Sequence, residues 1–458
     1  MASTYIYRAS GTPTSTRKFT FSFWVKKSGL GADQFIVSSF TDANNRLHCA
    51  FDSNDRFDFI AKVSSSNIIR TNPSMRFRDP SAWYHIVLNV DTTQSTAADR
   101  SKVYVNGVEQ TDFSSGNKIN PSQNADVNIS GDHFIGAYDN SGSPSLFLNG
   151  CLAHVHYTDG YTYAASTFGE TDSTSGIWKP KTAPSVTYGT NGFFLKFENS
   201  GNLDLDSSGN NLSFTTAGTL TQNVDTPSNN FPTLNPLPPS QINRAMENGN
   251  LYTGGTSDNY FSSSPTTMAC GSGKWYFEIK DETDWGSTSD STRRYGIANI
   301  ASDSLTQSRS TAGDVRFSDG NYAYAYMNAS GVRHAGATIS GSTSTHPTFA
   351  EGDFIMVAMD LDNLKLYFGK NGTWLDSGNP ASGASGTGAV ATLAAGGTWA
   401  PYLEVKYGSD TASINLGQGY FRTTVAGTNA DANGHGKFKY SVPSGYYAIC
   451  SKNIKEFG

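Results

Sequence analysis

Charge is scarce in this chain: Asp, Glu, Lys and Arg together make up 16% of its 458 residues, and no Lys/Arg cluster appears anywhere along it. With a net charge of -6 it has no field that would concentrate on phosphate, so nucleic acid is not expected as a partner. Long apolar runs are missing too, none approaching the roughly 18 residues that a membrane span needs, so no membrane insertion is expected. The opening "MASTYIYRAS" has neither a basic region followed by an apolar stretch nor a cleavage site, and no classical export signal is read there. Coiled-coil heptads, collagen triplets and fibrous repeats are absent, which leaves nothing to form a long shaft. Cysteine is rare: Cys49, Cys151, Cys270 and Cys450 are far apart with no CxxC spacing. They are expected as buried free thiols, with a pair in each half left open.

What is abundant is Gly (46), Phe (27) and Tyr (23). Such a balance suits half-buried strands joined by tight turns, so an all-β protein is expected. At about 150 residues per domain the length allows two or three domains. "FTFSFWVKKS" alternates Phe19, Phe21 and Phe23 against Thr20, Ser22 and Trp24, the period of a strand with one buried face. "AWYHIVLNVD" sets Tyr84, Ile86, Leu88 and Val90 against His85, Val87 and Asn89 in the same way. Asn106-Gly107 then predicts a hairpin turn with positive φ at both positions. The C-terminal half repeats that grammar, with "GDFIMVAMDLD" as a strand apolar on both faces and Asn371-Gly372 as its turn signal. The best helix signal is "SQINRAMENG" at 240–249. Between the halves lies "VDTPSNNFPTLNPLPPS", holding five of the 17 prolines. It divides the chain into 1–223, a Pro/Asn-rich linker at 224–244, and 245–458. Its asparagines and Phe231 are expected to pack along the first half, leaving "NPLPPS" as the hinge.

Two resemblances rest on quoted stretches. "FTFSFWVKKSG", "FRDPSAWYHIVLNVDTTQ", "DRSKVYVNGV", "LNGCLAHVHYTDGYTY" and "FGETDSTSGIWKPK" resemble the laminin G-like version of the concanavalin A-like sandwich found in structural proteins of marine tailed bacteriophages. "GSGKWYFEIK", "RRYGIAN", "GDFIMVAMDLDNLKLYFGKNGTWLDSG", "WAPYLEVKYGSDTASINLGQGYF" and "VPSGYYAICSKNI" resemble a SPRY domain. The resemblances imply an all-β chain of two concanavalin A-like antiparallel β-sandwich (jelly-roll) domains, laminin G-like then SPRY.

Candidate sites follow from residues and resemblance together. Concanavalin A-like glycosidases carry alternating carboxylates on one strand. The nearest string here is "FEIKDETDW", which puts Lys280 between Glu278 and Glu282, so no catalytic residue is assigned and a solvated strand face is expected. His154 and His156, with Asp159 beyond, could reach a transition ion, although a solvent-facing strand edge is the reading favoured. Laminin G-like domains often bind calcium at a sandwich rim, and "DLDSSGNN" offers Asp204, Asp206 and Asn210 for it, against the competing reading of ordinary turn chemistry. Most tryptophans fall in framework stretches, but Trp285 lies in a polar run. Together with Tyr322, Tyr324 and Tyr326 it marks the region through which SPRY domains commonly recognise partners.

The expected function is a non-enzymatic phage virion surface protein, a tail fibre, tail tip or other appendage that adheres to host-surface glycan or protein. The alternatives are a head decoration or structural tail protein bound to other virion proteins, and a secreted lectin or glycan-active enzyme. The implied location is the virion after synthesis in the host cytoplasm, and the implied assembly is a homo-oligomer, taken as a trimer.

Overall fold

The computed structural model describes residues 3–128, 130–140, 142–237, 246–254, 262–283, 293–300, 323–328, 331–334, 337–338, 346–406 and 409–458. They divide into two compact units, Met1–Gln222 with Thr226–Ser228, and Asn223–Asp225 with Asn229–Gly458.

The first unit is two antiparallel sheets. One orders eight strands as Lys118–Ile119, Ser66–Thr71, Phe57–Val63, Asn45–Phe51, Gln34–Asp42, Asp132–Ile135, Tyr5–Arg8 and Thr215–Ala217. The other orders six: Phe193–Leu195, Gly150–Asp159, Lys18–Lys27, Trp83–Asp91, Ser101–Val105 and Val108–Glu109. The core forms where the alternating apolar sets meet. Phe19, Phe21 and Phe23 lie opposite Val90, Leu88 and Ile86 in register, and all six are fully buried. Across the sandwich, Phe19 contacts Phe59 edge-on at 6.1 Å and Phe23 lies 6.4 Å from Phe57. Aromatic pairs at such offsets add to the burial of their area.

The opposite face of those strands is buried as well. Thr20, Ser22, Trp24, His85 and Val87 are all at most 2% exposed, because a third layer drawn from residues 161–188 covers them. Phe168 of the Ala165–Phe168 helix packs on Val87, and Trp178 packs on Trp24 and Trp83. The expectation of one buried face per strand is therefore corrected: local alternation cannot register a later segment laid across the outside.

The second unit is also a two-sheet sandwich, antiparallel except where Tyr447–Ala448 pairs parallel with Lys274–Thr283. Its larger sheet runs Met246–Glu247, Tyr252–Gly254, Thr411–Asn415, Lys274–Thr283, Phe354–Asp360, Lys365–Lys370 and Thr373–Trp374, with Ala391–Thr392 and Tyr447–Ala448 paired beside this path. The smaller runs Ser262–Pro265, Trp399–Val405, Arg293–Asn299, Ala323–Met327, Gly331–His334 and Ala337–Thr338. Trp275, Phe277 and Ile279 pair with Met359, Val357 and Ile355 to form one wall of the core. The fold class is thus all-β, two sandwiches of concanavalin A-like type.

Both Asn-Gly turns form as read: φ is 49° and 83° at Asn106-Gly107, and 48° and 89° at Asn371-Gly372. Two expectations change. The helix read at 240–249 is not formed where it can be seen, since Met246–Glu247 is a strand paired to Tyr252–Gly254; residues 240–245 lie outside the described set. Phe231 does not pack along the first sandwich. It is 1% exposed among Tyr276, Tyr367 and Phe438 of the second unit, where the neighbouring Pro232 carbonyl accepts a hydrogen bond from Gln418 Nε2. The reason is that an aromatic in an extended Pro-rich segment follows whichever apolar surface lies beside it, which composition does not specify. The cysteines carry no disulfide, and Cys49, Cys270 and Cys450 are buried. Burial pushes the Cys270 thiol up to about 12, which keeps it protonated and unreactive at neutral pH.

Candidate functional site: an aromatic groove with acidic walls

The strand Tyr5–Arg8 alternates, sending Ile6 into the core and Tyr5 and Tyr7 to the outer face of the eight-stranded sheet. Antiparallel pairing sets Tyr7 opposite Phe134, which is in turn opposite Ser38, while Asp132 lies opposite Phe40. The rings of Tyr7 and Phe134 stack at 5.4 Å with 12° between planes, and Tyr5 stands 5.8 Å from Phe134 and 6.0 Å from Phe147. Tyr5, Tyr7 and Phe134 floor a groove of about 600 Å³, within the range of roughly 300–1,000 Å³ typical of ligand sites.

Its walls are the turn after Gln34–Asp42 and the loop bearing Asp139, Gly142 and Pro144. Every charged lining residue is acidic: Asp42, Asp132 and Asp139. The Asn45 side-chain amide, with the N–H groups of Asn44 and Asn45, holds the Asp42 carboxyl below the usual carboxylate range, so it is ionised at neutral pH. Asp139 accepts the Gly142 N–H at 2.8 Å, which fixes the loop wall. Arg46, opposite Phe40 in register, turns its guanidinium to the Tyr138 ring at 5.8 Å instead of lining the groove. The arrangement can stack a flat apolar face and attract positive charge. Sequence reading passed over this site. The Tyr-Ile-Tyr alternation was visible in "MASTYIYRAS", but Phe134 joins it only through strand pairing.

The residues singled out from sequence lie elsewhere. Trp285 and Tyr322 fall outside the described residues. Tyr324 and Tyr326 are 5% and 0% exposed and face Trp399, Phe349 and Phe368 in the core, so they cannot form a contact surface. Their alternation is real, but Ala323 and Ala325 take the opposite face and the tyrosines point inward. Asp204, Asp206 and Asn210 are organised as turn residues. The Asp206 carboxylate accepts from the N–H groups of Phe194, Ser208 and Leu212 and from the Ser208 hydroxyl. Asp204 accepts from Thr216, and Asn210 donates to the carbonyls of Gly189 and Gly192. The oxygens proposed for calcium are thereby occupied by donors at Asp206, and the three residues tie their loop to itself, to Thr216 and to the 189–194 segment. Asp206→Ala is expected to cost about 2–4 kcal/mol, because three N–H groups lose their acceptor. Urea unfolding would measure it, and a loss under about 0.5 kcal/mol would refute the structural role.

The expected solvent-facing edge at His154 and His156 is not found, because the third layer covers it. His156 is 1% exposed, stacks on Phe194 at 3.8 Å and hydrogen-bonds the Tyr188 hydroxyl through Nδ1. His154 sits at a bulge with φ of 49°, where the pairing register to Lys18–Lys27 breaks. Asp159 spends its carboxylate on the N–H groups of Thr14 and Asn191 and the Asn128 amide. Among the described residues no cluster of three or more His, Cys, Asp or Glu suits a metal.

His85 is instructive because its Nε2 lies 2.9 Å from Ser22 Oγ. Trp178 Nε1–H donates to His85 Nδ1 at 2.9 Å. The neutral ring must then carry its proton on Nε2 and donate to Ser22, so it cannot take the serine proton as a base would. Glu278, expected on a solvated face, is 0% exposed and receives the N–H groups of Lys439 and Tyr440. Lys280 pairs with Glu282. That strand reads as structural, with its outer face covered by the chain near 439.

The first unit is therefore a concanavalin A-like sandwich bearing a groove on its eight-stranded sheet. Residues 2–160 match the family model described as the concanavalin A-like lectin/glucanases superfamily. Similar solved structures include the SPRY domain of human HERC1, at 19% identity over 39% of this chain and 95% of that one, with a TM-score of 0.26. Another is the native heptameric SAP-like pentraxin from Limulus polyphemus, at 14% identity over 47% of this chain and 89% of that one, with a TM-score of 0.30. Among curated proteins none matches.

Proposed function

We propose that this chain is a non-enzymatic phage virion surface protein, a tail-fibre or tail-tip adhesin that holds host-surface glycan. The observation that carries the binding reading is the Tyr5–Tyr7 floor on the outer face of the eight-stranded sheet, two half-buried rings backed by the buried Phe134. Sugars offer apolar C–H faces that stack on such rings. The virion setting is supported by the resemblance of the first half to the laminin G-like version found in structural proteins of marine tailed bacteriophages, and many copies per particle, as in a trimer, would raise avidity by about 10²–10⁴ over one site. The non-enzymatic reading is supported by the fixed tautomer of His85 and the buried, backbone-bound Glu278. Calcium is not needed for it, since the groove contains no part of the Asp206 loop.

Tyr7→Ala is expected to weaken binding to an immobilised host-surface glycan panel by about tenfold or more, with folding unchanged. Full binding by Tyr7→Ala would move the site away from the groove. Labelling intact virions with an antibody to this chain is expected to mark the tail. Head labelling would favour the rival role of decoration bound to other virion proteins, to which the lack of a shaft-forming repeat also lends support. Absence from the particle would remove the virion reading.

A further inference from the structure

The groove's charge narrows the class of glycan, an inference that rests on the adhesin reading above. Its floor offers the π faces of Tyr5 and Tyr7, and among the described residues its charged lining consists of Asp42, Asp132 and Asp139 with no Lys, Arg or His. A ring face and a carboxylate favour the same partner, since both attract positive charge. Sulfated, phosphorylated or uronic-acid sugars would meet repulsion from each wall, and a fully neutral sugar would leave the exposed Asp132 carboxylate without a partner from the ligand, whereas Asp42 already accepts the Asn44 and Asn45 N–H groups and the Asn45 amide and acts through its charge. Arg46 does not offset this, because its guanidinium lies over Tyr138. Arg8 follows Tyr7 in the alternation and is not among the groove's lining residues; burial lowers its pKa from the usual arginine value, and the charges of Asp206 and Asp132 oppose that fall, so Arg8 offsets part of the Asp132 charge.

We infer that the groove takes a glycan bearing a free primary amine, its pyranose face stacked on Tyr5 and Tyr7 and its ammonium directed to the Asp132 and Asp42 walls. The amine supplies what the walls lack, and the ring supplies what the floor needs. Specificity then arises as much from rejecting acidic sugars as from attracting cationic ones.

The test uses the full chain and calorimetric titration at pH 7 with three tetrasaccharide probes: one of glucosamine, its fully N-acetylated counterpart, and one containing glucuronate. The glucosamine probe is expected to bind about tenfold tighter than the acetylated one, with the glucuronate probe weakest. Asp132→Asn, an isosteric change at an exposed position, should shrink the preference for the amine over the acetylated probe severalfold. Tyr7→Ala should weaken both. Equal or tighter binding of the acetylated probe would overturn the amine assignment and leave the glycan reading standing. No binding of any probe by a folded wild-type chain would overturn both.

Discussion

Lowering the pH from 7 to 5 is expected to destabilise the first unit by several kcal/mol, well before most carboxylates titrate. Five of the eight histidines lie in this unit, and burial drives the pKa of every one downward: His48, His85 and His133 to about 3, with His154 and His156 also lowered. The unfolded chain binds protons near the ordinary histidine pKa of about 6.5, while the folded chain resists them. The stability contributed by the neutral rings is therefore present above about pH 6.5 and lost progressively as pH falls toward about 3. His85 and His133, at most 2% exposed, each forfeit about 2 kcal/mol at pH 5. Together that is a large share of the roughly 5–15 kcal/mol that holds a domain folded. The contacts explain why the penalty is not relieved by small shifts. Protonating His85 Nδ1 would set its new N–H against the Trp178 N–H. Thermal melts of the full chain from pH 7.5 to 4, with amide exchange read over Gly150–Asp159, should show the melting temperature falling below pH 6.5. A flat profile between pH 7 and 5 would refute it.

Glu278→Ala should be the most damaging single change in the second unit, at about 3–5 kcal/mol. The carboxylate is fully buried and collects the Lys439 and Tyr440 N–H groups at 2.9 and 2.8 Å and the Tyr276 hydroxyl at 2.9 Å, with the Asn415 amide at 3.4 Å. Burial raises its pKa and these donors oppose the rise. Removing the acceptor strands two backbone donors in the interior, each costing about 1–3 kcal/mol. In a chain this size the loss corresponds to a fall of about 6–20 °C in the transition that reports this unit. Glu278→Gln, which retains one acceptor but turns a donor toward a donor, should fall between the two. The result bears on function as well. A glycan-cleaving enzyme using Glu278 would lose activity in the variant while keeping its melting temperature, the opposite of what is expected here.

The sequence made some features legible because they are local. Strand alternation at Phe19–Phe23 and Tyr84–Val90 shows in side-chain order, and the turns at Asn106-Gly107 and Asn371-Gly372 are set by which residues tolerate positive φ. The same locality explains the misses. Alternation at Tyr324 and Tyr326 identifies two faces but carries no sign saying which one meets the other sheet. His85, His156 and Glu278 look like solvent-facing positions in their strands, and become interior only because residues 161–188 and 437–440 are laid over them. Asp206 looked like a cation ligand because turn residues and calcium ligands are drawn from the same few types.

By itself, then, the sequence determined an all-β chain, the periods of its strands and the positions of its tight turns, since these depend on neighbours within a few residues. Tertiary structure alone decided the candidate site. Tyr7 acquires Phe134 by cross-strand register, Asp132 and Asp139 come with the chain that carries Phe134, and Asp42 joins from the neighbouring strand. That convergence is set by how the sheet is ordered, and strand order depends on long-range pairing that no local pattern encodes.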